Sequence, residues 1–403
     1  MDIIVRKTYL SHIISHLNKG MMIILVGQRR VGKSFMLRQV NQWLAENRPD
    51  ATVVYINKEL LAFSHITNAS ELYDYVAPQF AIGADNYLLI DEVQDIENYE
   101  DALRSLHAED RCQIIATGSN AYIFSTELST RLAGRFIEIP IYGLSYREFL
   151  EFHGLADSDE SLNDYLRIGG LPGLRLYDVK DEIQIRDYLQ GVYNTIMMRD
   201  VITREQIRNV PFIENLSKFI ADNDGKLIST NSIVKFMKSQ GEKISEVTTA
   251  AYIDHLCKAL IINPVTRYDI RGKKIFELIY KYYFADHGMR NYLCGFNVRS
   301  SIEKIMENVI YLHLLTQGYR VNVGILRAGE IDFVASRGNK TLYIQVTYLL
   351  ASEETVKREF GNLAAITDNY PKYVVSLDPV SGELAEYPGI HHIHLREFLK
   401  MDL

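Results

Sequence analysis

The sequence predicts an α/β chain that begins with a parallel sheet, and three features carry that expectation. Residues 22–26 (MIILV) form a continuous apolar run that flows into a glycine-bounded loop and then into helical spacing. Residues 86–92 (NYLLIDE) form another apolar run, closing on two acids. From residue 211 onward, helical stretches give way to a hairpin signal and then to short strands, so further domains are expected behind the first. A chain of 403 residues accommodates two or three domains at roughly 100–200 residues each.

Taken in order, residues 3–19 have a helical apolar rhythm. Residues 22–26 lack the alternation of a half-exposed strand and read as one buried on both faces. They lead into Gly27, Gln28, Arg29, Arg30, Val31, Gly32, Lys33 and Ser34, the GxxxxGK[ST] pattern, and a helix starts at Phe35. In that pattern glycines let backbone N–H groups turn inward around phosphate oxygens, and the helix behind points its positive end at the same anion. Lys33 can reach the β- and γ-phosphates, and the Ser34 hydroxyl can take a Mg²⁺ position. Gly27 to Phe35 are therefore the expected nucleotide-binding residues.

Residues 53–56 read as a second strand and residues 86–92 as a third that ends in the Walker B pattern. Asp91 is expected to hold Mg²⁺ with Ser34, and Glu92 to polarise the attacking water. An acidic pair of this kind favours hydrolysis by water over transfer to a second substrate. Residues 112–118 form another strand, after which Ser119 or Asn120 can touch the γ-phosphate or orient the water; a plain Gly-Ser turn is the other reading. Arg131 and Arg135 precede the next strand, residues 136–139, and each is a candidate arginine finger or a solvated structural arginine.

Composition narrows the classes. Lys and Arg number 44 against 51 Asp and Glu, a net charge of −7, so the chain is not coated for nucleic acid. An apolar fraction of 47% excludes wholesale disorder. Three scattered cysteines form neither a disulfide framework nor a metal knuckle, which fits a reducing cytosol. The apolar run 21–27 is far short of the ~20 residues that span a bilayer, and the N-terminus carries no signal-peptide pattern. A cytoplasmic protein without a membrane partner is expected.

These residues resemble the AAA+ (ASCE) type of P-loop ATPase, in a prokaryotic group that couples such a core to a C-terminal region of unknown function. The stretches that carry the resemblance are GQRRVGKS (27–34), YLLIDEVQDI (87–96), IIATGSNA (114–121), RLAGRF (131–136) and IYGLSYREFLEF (141–152). YLRIGGLPG (165–173) and YKYYFADHGMRN (280–291) resemble the group's middle region. The resemblance implies ATP and Mg²⁺ as ligands. It assigns phosphate, metal and hydrolysis roles to Lys33, Ser34, Asp91 and Glu92, a sensor role to Ser119 and a finger role to Arg135. Adenine over guanine follows from the resemblance, since no NKxD motif is present.

Behind the core, residues 154–162 read as an acidic linker and 169–173 as a turn cluster. Helical pattern returns at 179–199, 212–222, 229–240 and 245–260, and residues 261–267 and 274–279 flank a hairpin signal. Helix, helix–turn–helix and hairpin in that order describe a winged helix. It carries Lys235, Lys238, Lys243, Lys258, Arg271, Lys273 and Lys274, but its second helix carries Glu246 and Asp254 and no arginine for guanine. DNA-phosphate contact and a lid or protein-docking role both remain open.

The tail, a helix at 302–317 followed by strands at 330–334 and 342–347, resembles the PD-(D/E)XK restriction-endonuclease-like fold. By that resemblance Glu307, Asp332 and Gln345 match ligand positions, while Thr347 stands where the lysine belongs. Gln345 is neutral and a weaker ligand for a hard cation, so a degenerate domain is expected; Lys357 and Arg358 are possible stand-ins for the lysine. His391, His392 and His394 lie on a strand that sends neighbours to opposite faces, which argues for a surface strand over a metal cluster.

The expected organisation is an AAA+ domain at 1–155, a helical linker region at 156–210, a winged helix at 211–295 and a degenerate nuclease-like domain at 296–403. The expected activity is Mg²⁺-dependent ATP hydrolysis that drives conformational change in C-terminal domains bound to DNA or a protein client, with self-association open. The rival readings are a nucleotide-gated scaffold with slow turnover and an ATP-dependent nuclease.

Overall fold

A computed structural model describes residues 4–119, 131–132, 134–242, 244–327, 329–379 and 381–403. Contacts divide the chain into two compact units, residues 1–142 with 258–260, and residues 143–257 with 261–403. The division falls ahead of residue 155, because the segment at 143–155 packs with the residues that follow it.

The first unit is built on a parallel sheet of β1 (Met22–Val26), β2 (Thr52–Asn57), β3 (Asn86–Asp91), β4 (Gln113–Gly118) and β5 (Phe136–Pro140), in the order β2-β3-β4-β1-β5. Every residue of β1 and β3 is buried, as unbroken apolar runs require. Helices α1 (Lys7–Ser15), α2 (Lys33–Asn47), α3 (Ala69–Val76) and α4 (Tyr99–Ala108) accompany the strands. One core joins Met22, Ile24 and Val26 to Leu88, Ile90, Leu72, Leu103 and Leu106. The consequence for function lies in the strand order: β4 is inserted between β1 and β3. The polar residues ending β4 therefore stand between the loop after β1 and the acids after β3.

The second unit opens with α5 (Tyr146–His153), started by the Ser145–Glu148 capping box. It continues with α6 (Asp159–Ile168), α7 (Glu182–Ile196), a π-helical extension (Met197–Thr203), α8 (Val210–Asp222), α9 (Thr230–Ser239) and α10 (Glu246–Lys258). The hairpin of β6 (Ile262–Asp269) and β7 (Lys274–Phe284) turns where Asp269 Oδ1 accepts from the N–H groups of Arg271 and Gly272, at 3.0 and 2.9 Å. After α11 (His287–Leu293) and α12 (Ile302–Thr316) come β8 (Arg320–Ile325), β9 (Glu330–Arg337), β10 (Lys340–Val346), α13 (Glu353–Ala364), β11 (Lys372–Ser376), β12 (Gly382–Glu383) and β13 (Ile390–His394).

These strands form one mixed sheet in the order β12-β13-β11-β10-β9-β8-β6-β7. The hairpin is therefore not confined to the 211–295 segment: β6 pairs in parallel with β8 through Arg267, Tyr268 and Asp269. Gly324 makes the close approach possible, since a Cβ there would lie 2.8–2.9 Å from Val334, Ile270 and Ile331.

The two stretches YLRIGGLPG and YKYYFADHGMRN clasp each other. Asp286 Oδ2 accepts from Gly170 N at 2.8 Å, a His287 ring nitrogen lies 2.7 Å from the Tyr165 carbonyl, and Asn291 Nδ2 donates to Leu166 O and Arg167 O at 2.8 and 3.0 Å. Gly288 sits so close that a Cβ would come within 2.0 Å of the Ile168 carbonyl oxygen. On β13, His391 is exposed beside Glu383 while His392 is buried against Ser376, so the histidines separate as strand geometry requires. Among the described residues no helix is long and apolar enough to cross a membrane.

Candidate functional site

The chain leaves β1 at Gly27, where glycine is required because a Cβ would lie 2.2 Å from the Ile141 carbonyl oxygen. Arg30 (φ 71°) and Gly32 (φ 100°) both adopt left-handed backbone and curl the loop back toward α2. Gly32 caps α2 with no side-chain acceptor, and the first intrahelical donor is Met36 N to Gly32 O at 3.0 Å. Lys33, Ser34 and Phe35 form the first turn of α2, at the positive end of the helix dipole. Lys33 is buried, its ammonium bonded to the carbonyls of Gly27 (2.8 Å) and Gln28 (3.0 Å). Val31 is buried, whereas the Phe35 side chain points outward under the Arg38 guanidinium.

Parallel strands bring their carboxyl ends to one edge, and there the predicted acids meet this loop. The Ser34 hydroxyl donates to Asp91 Oδ1 at 3.1 Å. Thr117 Oγ1 donates to the same oxygen at 2.7 Å and accepts from Glu92 N at 2.9 Å. The Gln94 amide donates to Glu92 Oε2 and reaches Ser119 Oγ at 3.4 Å. Burial raises the Asp91 pKa above its ordinary value, against the bonds from Thr117 and Ser34. For Glu92, burial acts against the charge, but the Lys33 ammonium, the Gln94 amide, Arg29 and Ser119 outweigh it and lower the pKa.

Residues 19–150 match a family model described as an AAA domain, and residues 159–300 match a domain of unknown function (DUF8612). An uncharacterized protein of Haemophilus influenzae is 30% identical over 402 residues, covering 98% of this chain and 98% of its own length. The chain carries an AAA-type P-loop ATPase domain at its N-terminus, followed by a domain of unknown function. An uncharacterized protein of Methanocaldococcus jannaschii is 28% identical over 355 residues, covering 83% of this chain and 76% of its own. Among solved structures, a Walker-type ATPase of Pyrococcus abyssi superposes with a TM-score of 0.51 at 18% identity, over 73% of this chain and 96% of that one. The parallel five-strand sheet of this AAA domain is thus that of P-loop ATPases.

Within the AAA domain, Gly27 through Phe35, Asp91, Glu92 and Ser119 converge on one edge of the sheet. Arg135 does not. Its carbonyl accepts from Met22 N at the start of β1, while the phosphate loop follows the end of that strand, about 16 Å away at roughly 3.3 Å per residue. Arg131 instead lies 3.8 Å from Glu100 on α4. Asn120, the other sensor candidate, and Lys243 lie outside the described residues.

Sequence reasoning missed three residues. Thr117 and Gln94 tie the two acids to β4, and the only signal for them is position, at a strand end and two residues past Glu92. Arg6 is buried, its guanidinium bonded to Val31 O at 3.2 Å and Tyr142 O at 2.9 Å, so it braces the phosphate loop from outside the motif.

The residues suit a hard cation. Asp91 Oδ2 is buried with no hydrogen-bond partner among the described residues, and Ser34 Oγ stands beside its other oxygen. An orphaned buried carboxylate oxygen is costly unless a charge meets it. The donor set, one carboxylate and one hydroxyl, is of the kind Mg²⁺ takes up together with phosphate oxygens.

Proposed function

We propose that this AAA domain binds and hydrolyses Mg²⁺-ATP, and that the change of nucleotide state alters the C-terminal unit. The observation that carries the reading is the meeting of Ser34, Asp91, Glu92 and Ser119 beside a loop that leads into the N-terminus of α2. The loop and α2 hold the phosphates, and Lys33 moves from the carbonyls of Gly27 and Gln28 onto them. Ser34 and Asp91 hold Mg²⁺, which supplies charge neutralisation to the phosphates when bound. Glu92, charged and aimed by Thr117 and Gln94, takes a proton from water attacking the γ-phosphate in line, and Ser119 orients that water. With Arg135 at the far end of β1, any finger arginine belongs to another position or another copy of the chain.

The test pairs two variants. Lys33→Ala abolishes ATP binding; Glu92→Gln retains binding while steady-state phosphate release falls by roughly 10²-fold or more. Equal phosphate release in Glu92→Gln and the unmodified chain refutes the assignment.

For the C-terminal unit, the order α8, α9, α10, β6, β7, with a bridge between Ile228 and Tyr280, supports a winged helix. Arg271, Lys273 and Lys274 are exposed at the hairpin turn, whereas α10 presents Glu246, Val247 and Asp254. That distribution favours a protein client on the helix and limits phosphate contact to the turn. Hydrolysis stimulated by duplex DNA, fading with salt, is the result that would move the reading to nucleic acid.

A further inference from the structure

The C-terminal sheet carries a second group of acids, and it encloses a lysine. Lys281 on β7 keeps 3% side-chain exposure, and its ammonium lies 2.8 Å from Glu330 Oε1, 3.2 Å from Glu307 Oε2 and 3.3 Å from Asp332 Oδ1. An ammonium has three donors, and here each meets a different carboxylate. Tyr283, on the same face of β7, donates to Glu307 Oε2 at 2.7 Å. Glycine at 225 leaves room for that carboxylate, since a Cβ would lie 2.8 Å from Glu307 Oε2.

The rest of the cluster is committed elsewhere. Asp332 Oδ2 accepts from Val346 N at 2.9 Å. Gln345 uses both ends of its amide, accepting from Asp332 N at 2.8 Å and donating to Glu359 Oε2 at 2.7 Å. Glu359 in turn pairs with Arg358. Burial opposes the charge on Lys281, but the attraction of Glu307, Asp332 and Glu330 exceeds it and holds the pKa above the ordinary lysine value. Among the described residues no group of three or more His, Cys, Asp or Glu side chains is arranged to hold a metal ion.

We propose that Lys281 is the resident cation of this cluster: its ammonium occupies the position a divalent ion would take among Glu307, Glu330 and Asp332, so the C-terminal unit is built as a metal-free charge cluster. The distances suit this occupant. Oxygens 2.8–3.3 Å from a central nitrogen are at ion-pair range for an ammonium, whereas Mg²⁺ demands ligands at about 2.0–2.1 Å and Ca²⁺ at about 2.3–2.6 Å. Glutamine at 345 and threonine at 347 leave β10 without the carboxylate and the ammonium that the resemblance leads one to expect there, and Lys281 supplies an ammonium from a different strand. A unit organised this way cannot recruit metal-bound water for phosphodiester cleavage.

The test uses Mn²⁺ alone, counted by the fall in its free electron-paramagnetic-resonance signal, with the nucleotide-free full chain. The unmodified protein and Asp332→Asn are expected to bind the same number of ions. Lys281→Met is expected to bind one more, and adding Asp332→Asn to it removes that ion. One ion fewer in Asp332→Asn than in the unmodified chain overturns the proposal, as does Lys281→Met gaining none. If Lys281→Met fails to fold, the comparison of the unmodified chain with Asp332→Asn and Glu307→Gln still decides: equal counts support it, and a lost ion refutes it. Plasmid incubated with Mn²⁺ and the unmodified chain should stay supercoiled; nicking that Asp332→Asn abolishes also refutes it.

Discussion

Thr117 offers the sharpest test of the AAA domain, because one hydroxyl holds both acids. Its Oγ1 donates to Asp91 Oδ1 at 2.7 Å and accepts from Glu92 N at 2.9 Å, and the side chain is fully buried. Thr117→Val keeps the shape and removes both bonds. Glu92 N loses its Thr117 acceptor, at about 1–3 kcal/mol for an unsatisfied buried donor, and Asp91 loses a charge-assisted bond of about 1.5–3 kcal/mol. Ser34 still donates to Asp91, which places the total near 3–4 kcal/mol. Thr117→Ser keeps both bonds and gives up one methyl group, about 1 kcal/mol. The chain has 1 Trp, Trp43 on α2, so urea unfolding followed by its fluorescence reports on this unit. Thr117→Val should unfold at clearly lower urea than Thr117→Ser, and its kcat should fall by about tenfold or more as Glu92 loses its anchor. Coincident unfolding curves for the two variants would refute the claim that this hydroxyl organises the acids.

Two further predictions concern the second unit. Asp286→Ala removes the acceptor of Gly170 N and Met289 N, both buried, and should lower stability by about 2–5 kcal/mol in urea melts followed by circular dichroism; Asp286→Asn, which keeps one acceptor, should cost less. His313 is buried, which lowers its pKa from 6.5 to about 4, and a Gln317 amide lies 3.1 Å from its Nε2. The unfolded chain takes up the proton first, so stability is full above about pH 6.5, declines as pH falls, and stops declining below about pH 4. The loss from His313 alone is about 3 kcal/mol. His153, also lowered to about 4 by burial, adds to the same window. A His313→Gln chain with the same pH slope as the parent would disprove this origin.

What the sequence made legible was what local pattern encodes. The unbroken run of β1, the glycines of the loop and the acids closing β3 each follow from a few adjacent residues, and the structure places them as expected. The distance of Arg135 from its own chain's phosphate loop was legible too: a residue before a parallel strand lies at the opposite edge from a loop that follows one. The pairing of β6 with β8 was hidden because about 55 residues separate Arg267 from Val323 and no local rule selects a parallel partner. Lys281 was hidden in another way. In the aromatic strand YKYYF a lysine reads as the solvent-facing member of an alternation, and only the fold brings three carboxylates to it.

The two carboxylate groups of this chain differ in one physical respect, and that difference assigns them different work. In the AAA domain, Asp91 keeps a buried oxygen with no hydrogen-bond partner among the described residues, while the nearby Lys33 ammonium bonds to the carbonyls of Gly27 and Gln28. In the proposed function a diffusible cation arriving with a nucleotide relieves that oxygen, which would link occupancy to ligand. In the C-terminal sheet the cation among the acids is covalently part of β7. Breaking a buried ion pair by removing one partner typically costs about 3–5 kcal/mol, so Lys281 does not yield its place to a weakly held ion. On these two proposals strand-end acids are ligand-dependent in one unit and ligand-independent in the other. Chelation should accordingly abolish turnover at the first site and leave the fold of the second intact.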